Sequence, residues 1–183
     1  MLNIKILIVG LFSLLVINGD KPEVGSEIDR LDEVPVFYNG DINNVYGRNI
    51  TSDGYNLGLR YQCVEFVKRY YFEIYDHEMP ESYGNAKDFF DKSLKDEDFN
   101  EERGLQQFRN TRSFIPRKGD IIIFDGTDDN SYGHMGIVAQ VENEMVEIVQ
   151  QNWGLKSRHS MKLMEFEGIY TIADFGILGW LRK

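Results

Sequence analysis

One thiol and one imidazole carry most of the reactive potential of this chain. Cys63 is the single cysteine among 183 residues, so it forms no internal bridge, and it stands where a helical pattern begins after the glycine-containing loop Gly54 to Gly58. Unpaired N–H groups and the macrodipole at a helix start favour a thiolate, which lowers the thiol pKa and makes the sulfur a nucleophile. The same N–H groups can hold an oxyanion, so the position suits acyl transfer. A free cysteine is more often a small buried hydrophobe, and position alone does not exclude that role. A thiol that attacks an amide needs a base that later protonates the leaving amine, a task matched by histidine at neutral pH. His77 lies in a charged stretch (YDHEMP) and His159 in a basic one (KSRHS), so both read as solvated. His134 instead opens a strand after Gly133, beside the polar loop Asp125 to Gly133 where a cleft can form.

The histidine needs a partner to orient it. If Glu142-Asn143-Glu144 is a symmetric three-residue turn, positions summing to 286 face each other, and His134 opposes Asn152 and shares a face with Gln150. A two-residue turn at Asn143-Glu144 puts Glu147 and Gln151 on the histidine's face instead. The residues alone leave both registers open. No cofactor or metal is expected: Asp125, Asp128 and Asp129 read as a solvated loop without EF-hand spacing, and one cysteine with three scattered histidines gives no zinc set.

The elements that must position these groups follow from periodicity. Val64, Val67, Tyr71 and Ile74 recur at three- and four-residue steps between Cys63 and Tyr75, an amphipathic helix. Lys87 to Gln107, charged and interspersed with Phe89, Phe90, Leu94, Phe99 and Leu105, predicts one or two surface helices. Strand patterns follow at Ile121 to Phe124, His134 to Val141, Met145 to Gln151 and Ile177 to Leu181, with a connection of open form over Lys156 to Phe175. Helical first half and antiparallel second half make the chain α+β. Residues 1–19, with Lys5 before the apolar run Ile6 to Ile17 and a small-residue exit, have the layout of a cleaved secretory signal, and the run is short for a membrane span. Residues 20–53 read as irregular, and residues 54–183 as the working domain. The expectation is a secreted monomer, free of the membrane after cleavage. A net charge of −10 argues against a nucleic-acid partner. Asn49-Ile50-Thr51 fits a glycosylation triplet, on which nothing further is built.

The strings Tyr61-Gln62-Cys63-Val64-Glu65-Phe66, Gly119-Asp120-Ile121-Ile122-Ile123-Phe124, Gly133-His134-Met135-Gly136-Ile137-Val138, Gln151-Asn152 and Ile177-Leu178-Gly179-Trp180 resemble the amidase domain of glutathionylspermidine synthetase/amidase. That domain belongs to the CHAP group, the cysteine, histidine-dependent amidohydrolases/peptidases. The resemblance spans about Gly54 to Trp180. It implies a papain-like fold, Cys63 as nucleophile, His134 as base, and hydrolysis of an amide through a thioester, with a small peptide or peptide-amine conjugate as substrate. It favours the symmetric register, because the family's acidic third residue falls on Gln150. A glutamine holds an imidazole but cannot stabilise an imidazolium by charge, so Asn152 or Glu147 are further candidates, and a catalytically silent binding module is the alternative. Lys68 stands where the amidases carry an arginine, and the ATP-dependent synthetase half has no counterpart.

Overall fold

The computed structural model describes residues 21–183; the expected signal segment, residues 1–19, lies outside them. In chain order it contains β1 (Glu27–Leu31), β2 (Val34–Phe37), β3 (Arg48–Ile50), β4 (Asn56–Leu59), α1 (Cys63–Tyr75), a single 3-10 turn at Ala86–Phe89, β5 (Phe99–Asn100), β6 (Leu105–Arg109), β7 (Ile121–Phe124), β8 (His134–Glu142), β9 (Met145–Gln150), β10 (Arg158–Phe166), β11 (Ile169–Ala173) and β12 (Ile177–Arg182). Eight strands form one sheet in the order β11-β10-β9-β8-β7-β12-β6-β5, and every pairing in it is antiparallel. The described residues are therefore mostly β-sheet with one α-helix.

Strand alternation divides the core between the two faces of this sheet. Ile121, Ile123, Met135, Ile137 and Val149 pack with Phe66, Val67, Tyr70 and Tyr71 of α1. On the other face Ile122, Val138, Ile148 and Met161 pack around Trp180, which stacks on Phe108. The sheet curls around this second core until Tyr170 of β11 meets Arg112 and Ile172 exchanges hydrogen bonds with Asn110. No helix among the described residues is long and apolar enough to cross a membrane.

Two expectations are corrected here. The surface helices read over Lys87 to Gln107 reduce to the 3-10 turn followed by β5 and β6. Aspartates capture the backbone first: Asp91 accepts from the Ser93 amide and Asp98 from Lys95, each an alternative to a helical hydrogen bond. The segment 20–53 is not irregular either. β1 and β2 pair as a hairpin that sends Leu31, Val34 and Val36 into the first core, and β3 pairs with β4 across the expected boundary at residue 53. The stretch Lys156 to Phe175, left open by the sequence, contains the β10–β11 hairpin.

Candidate active site

α1 begins at Cys63, with Gln62 as its N-cap in an extended conformation. β4 can lie against this first turn because Gly58 has no side chain: a Cβ there would stand 3.2 Å from the Glu65 Cα, and the backbone φ of +128° is itself one that L-residues avoid. The Gln62 side chain is turned aside, donating to the Asn44 carbonyl at 2.8 Å and accepting from the Asn152 amide at 2.6 Å. The sulfur is thus left to the helix start and to the backbone of β8.

β8 and β9 settle the register in a way that combines both sequence readings. The turn is the two-residue one, with Asn143 and Glu144 both at positive φ and Glu142 opposite Met145. A bulge at Ala139 then inserts one residue into β8, so Val138 pairs with Ile148 and Gly136 with Gln150, the symmetric sum. Gln150 therefore lies on the histidine's face after all. Gly136, opposite Gln150, puts no side chain between them, and the Gln150 amide reaches diagonally to His134, with Nε2···Oε1 at 3.0 Å. The amide orientation is fixed because its nitrogen donates to the Lys156 carbonyl at 3.2 Å. Oε1 must then accept, so Nε2 carries the ring proton and Nδ1 remains the basic nitrogen. The Trp153 indole lies 5.0 Å from the imidazole, centroid to centroid.

Burial pushes the Cys63 thiol up to about 11, outweighing the amides of Met135, Val64 and Cys63 itself, which pull it down. Burial likewise pushes the imidazole of His134 down to about 4, against the hydrogen bond to Gln150 that favours its protonation. The resting pair is a neutral thiol and a neutral imidazole. This corrects the expectation of a depressed thiol: the helix start does favour the thiolate, but both groups are more than nine-tenths buried and, among the described residues, no carboxylate acts on either to make an ion pair worthwhile.

The remaining candidates have other partners. Asn152 lines the cleft at a positive φ, but its amide donates to Ile42 and Gln62 and accepts from Asn39, so it braces the cleft wall rather than the histidine. Glu147 is bound to Arg158. Gln151, on the opposite face from Gln150, donates to the Gln62 carbonyl and to Glu65, and accepts from the Phe37 amide. Glu65 also takes hydrogen bonds from Asn49 and Arg69, the latter a buried ion pair at 2.8 Å. Lys68 is buried on the carbonyls of Asn56 and Ser82, and burial lowers its pKa to about 8. His77, expected to be solvated, is buried between the Arg103 carbonyl and Lys183. Sequence reasoning missed Trp153 and the bulge at Ala139. The 286 register puts Trp153 opposite Gly133, off the histidine's face, and only the positive φ of Asn152 turns the indole toward the imidazole; nothing in an Ala flanked by strand residues marks a bulge.

Cys63, His134, Asn152 and Gln62 open onto one cleft of about 720 Å³, walled by residues 42–48 on one side and the loop before His134 on the other. Comparison with known proteins shows the family. The family model described as "CHAP domain" matches residues 52–152, which include Cys63 and His134. The chain is 29% identical over 146 residues to trypanothione synthetase of Crithidia fasciculata, covering 77% of this chain and 22% of that protein. It is 29% identical over 147 residues to the bifunctional glutathionylspermidine synthetase/amidase of Escherichia coli (strain K12), covering 73% and 23%. Endolysin LysK of Staphylococcus phage K is 30% identical over 105 residues, covering 57% and 19%. The chain thus spans about a fifth of the length of each of these relatives.

Proposed function

The chain belongs to the CHAP domain family, and on that premise we propose that it is a thiol-dependent amidohydrolase or peptidase of papain-like fold with Cys63 as nucleophile and His134 as base. The observation that carries this reading is the His134 to Gln150 hydrogen bond through Nε2, which leaves Nδ1 unprotonated within the cleft that Cys63 lines. Nδ1 takes the Sγ proton as the sulfur bonds to the substrate's amide carbon. The backbone N–H groups of the first turn of α1 hold the resulting oxyanion. Collapse breaks the C–N bond, and Nδ1–H returns its proton to the leaving amine, giving a thioester. Water, deprotonated by the same nitrogen, then releases the acid and restores the thiol. Because the pair is neutral at rest, proton transfer accompanies attack instead of preceding it, as with a serine nucleophile. Gln150 steadies the transient imidazolium by its carbonyl dipole, and Trp153 shields that hydrogen bond from water.

The substrate is a small peptide with an unusual amide, of the cell-wall type or a glutathione-polyamine conjugate. The catalytic unit takes in β1, β2 and β3 together with residues 54–183, since residues 42–48 wall the cleft, and residues 1–19 direct export, which favours cell-wall peptides. The relatives point both ways, since one is named an endolysin and another an amidase. The test is mass spectrometry of products after incubating the protein, and a Cys63→Ala control, with muropeptides and with glutathionylspermidine. A cut that the control lacks supports the reading and selects the substrate. No cut in either tube favours a silent binding module, which the raised thiol pKa and the glutamine at position 150 would suit.

A further inference from the structure

Two buried cations stand behind the stretch of cleft wall formed by Ser82 to Ala86. Arg103, in the turn between β5 and β6, donates from Nη1 to the carbonyls of Glu81 at 2.5 Å and Tyr83 at 3.1 Å. From Nη2 it donates to the Asp88 carbonyl at 3.2 Å, and its guanidinium carbon lies 4.0 Å from the Phe89 ring centroid. Lys68, on the helix that carries Cys63, donates to the Ser82 carbonyl at 2.8 Å and to the Asn56 carbonyl of β4. Among the described residues the carboxylate that pairs with Arg103 is the exposed Glu102, at 3.5 Å, and none pairs with Lys68. Packing alone would be served better by apolar side chains, because a buried charge without a buried counterion costs free energy. What the cations add is a fixed direction for the carbonyls. Arg103 is itself anchored: its amide donates to the Asn100 carbonyl, and its carbonyl accepts from Nε2 of His77, whose Nδ1 is taken by Lys183.

Peptide planarity turns this clasp into a property of the cleft. The C=O and N–H of one trans peptide group point opposite ways. Carbonyls 81, 82 and 83, drawn inward to the cations, therefore turn the N–H groups of Ser82, Tyr83 and Gly84 outward, to the cleft that these residues line. The Tyr83 amide is taken by the Glu81 carboxylate at 2.7 Å, whereas those of Ser82 and Gly84 have no acceptor among the described residues. Gly84 has a φ of +122°, and a Cβ there would stand 3.3 Å from Arg103 Nη2, so the wall is shaped around the guanidinium. Because Lys68 and Asn56 both tie the Ser82 carbonyl to β4, these amides lie on the far side of Cys63 from His134, where the acyl half of a substrate rests while the amine leaves toward the histidine. We infer that Arg103, assisted by Lys68, is a positioning residue for substrate: it holds the wall so that the Ser82 and Gly84 amides receive a main-chain carbonyl oxygen of the acyl half. Fixed N–H donors read backbone, not side chain. The substrate class is thus an amide whose acyl group itself contains a second peptide bond.

The role rests on the hydrolytic reading, and the experiment separates the two. The probes are glutathionylspermidine and N-acetyl-alanyl-alanyl-lysine, each beside an analogue in which the carbonyl one residue before the amide that releases spermidine or lysine is replaced by CH2. The unaltered protein should prefer a cleaved substrate over its analogue by about tenfold in kcat/KM, with the difference in KM. Arg103→Met keeps the contact with Phe89 but loses the donors, and should bring that ratio close to one while the pH profile of Cys63 alkylation stays in place. Arg103→Lys should restore part of the preference. A loss in Arg103→Met that is equal for substrate and analogue means a purely structural residue and overturns the assignment, as does an unaltered protein that cleaves both at one rate. Should Arg103→Met not fold, Gly84→Ala, confined to the exposed wall, makes the same comparison. If the unaltered protein cleaves neither substrate, these tubes count against the hydrolytic reading, and calorimetric titration of the four probes decides the role of Arg103. Tighter binding of the carbonyl-bearing member, lost in Arg103→Met, upholds it; equal or absent binding overturns it.

Discussion

Gln150 and Gln151 are neighbours in sequence, identical in side chain and equally buried, yet they serve opposite regions of the molecule. Gln151 faces α1 and joins Glu65, Arg69, Asn49 and Phe37 in a network that contains a buried ion pair. Gln150 faces His134 and holds it with one hydrogen bond, in surroundings without a carboxylate. Where the structure is held, charge is compensated by charge; at the proposed catalytic groups, thiol and imidazole are buried and neutral. In the proposed mechanism formal charge arises there only during attack.

The sharpest way to break this comparison is to remove the reactive groups. Cys63→Ala should abolish turnover, by more than about a thousandfold, while leaving the denaturation midpoint nearly unchanged; product analysis and urea unfolding read the two sides. Glu65→Leu should do the reverse, destabilising the fold by about 3–5 kcal/mol because Arg69 is left as an uncompensated buried charge. Gln150→Leu should lower kcat roughly a hundredfold by freeing the imidazole's tautomer, with little change in stability, whereas Gln151→Leu should cost about 1–3 kcal/mol in unfolding free energy.

A smaller effect sharpens it further. Gln150→Glu supplies the missing carboxylate, favours the imidazolium, and should move the acid limb of kcat/KM upward from about 4 by about one to two pH units. In the unaltered protein, the depressed pKa of His134 means the unfolded chain binds more protons between about 6.5 and 4. Stability from this group is therefore complete above the unfolded value and falls as the pH drops through that window, and urea midpoints across it measure the slope.

Much of this was legible in the residues. Helical spacing from Cys63 to Tyr75 marks α1 with its observed bounds, since one apolar face against a sheet is what that period encodes. The strands β7, β8, β9 and β12 follow from short apolar runs bounded by turns. What sequence pattern could not carry was competition between local interactions. Aspartate side chains replaced helical hydrogen bonds after Phe89, and a bulge at Ala139 reset a register that turn length alone had set otherwise. The sign of the Cys63 shift was equally hidden, because burial depends on β8 closing over the thiol, a contact distant in sequence.

The most direct measurement is the rate of Cys63 alkylation by iodoacetamide as a function of pH, followed by mass spectrometry; with one cysteine in the chain the signal has a single source. A neutral resting pair predicts slow reaction through pH 5–8 and a rise only above about pH 9, as burial holds the thiol near 11. A fast plateau between pH 5 and 7 would mean a preformed thiolate-imidazolium pair and would contradict the account.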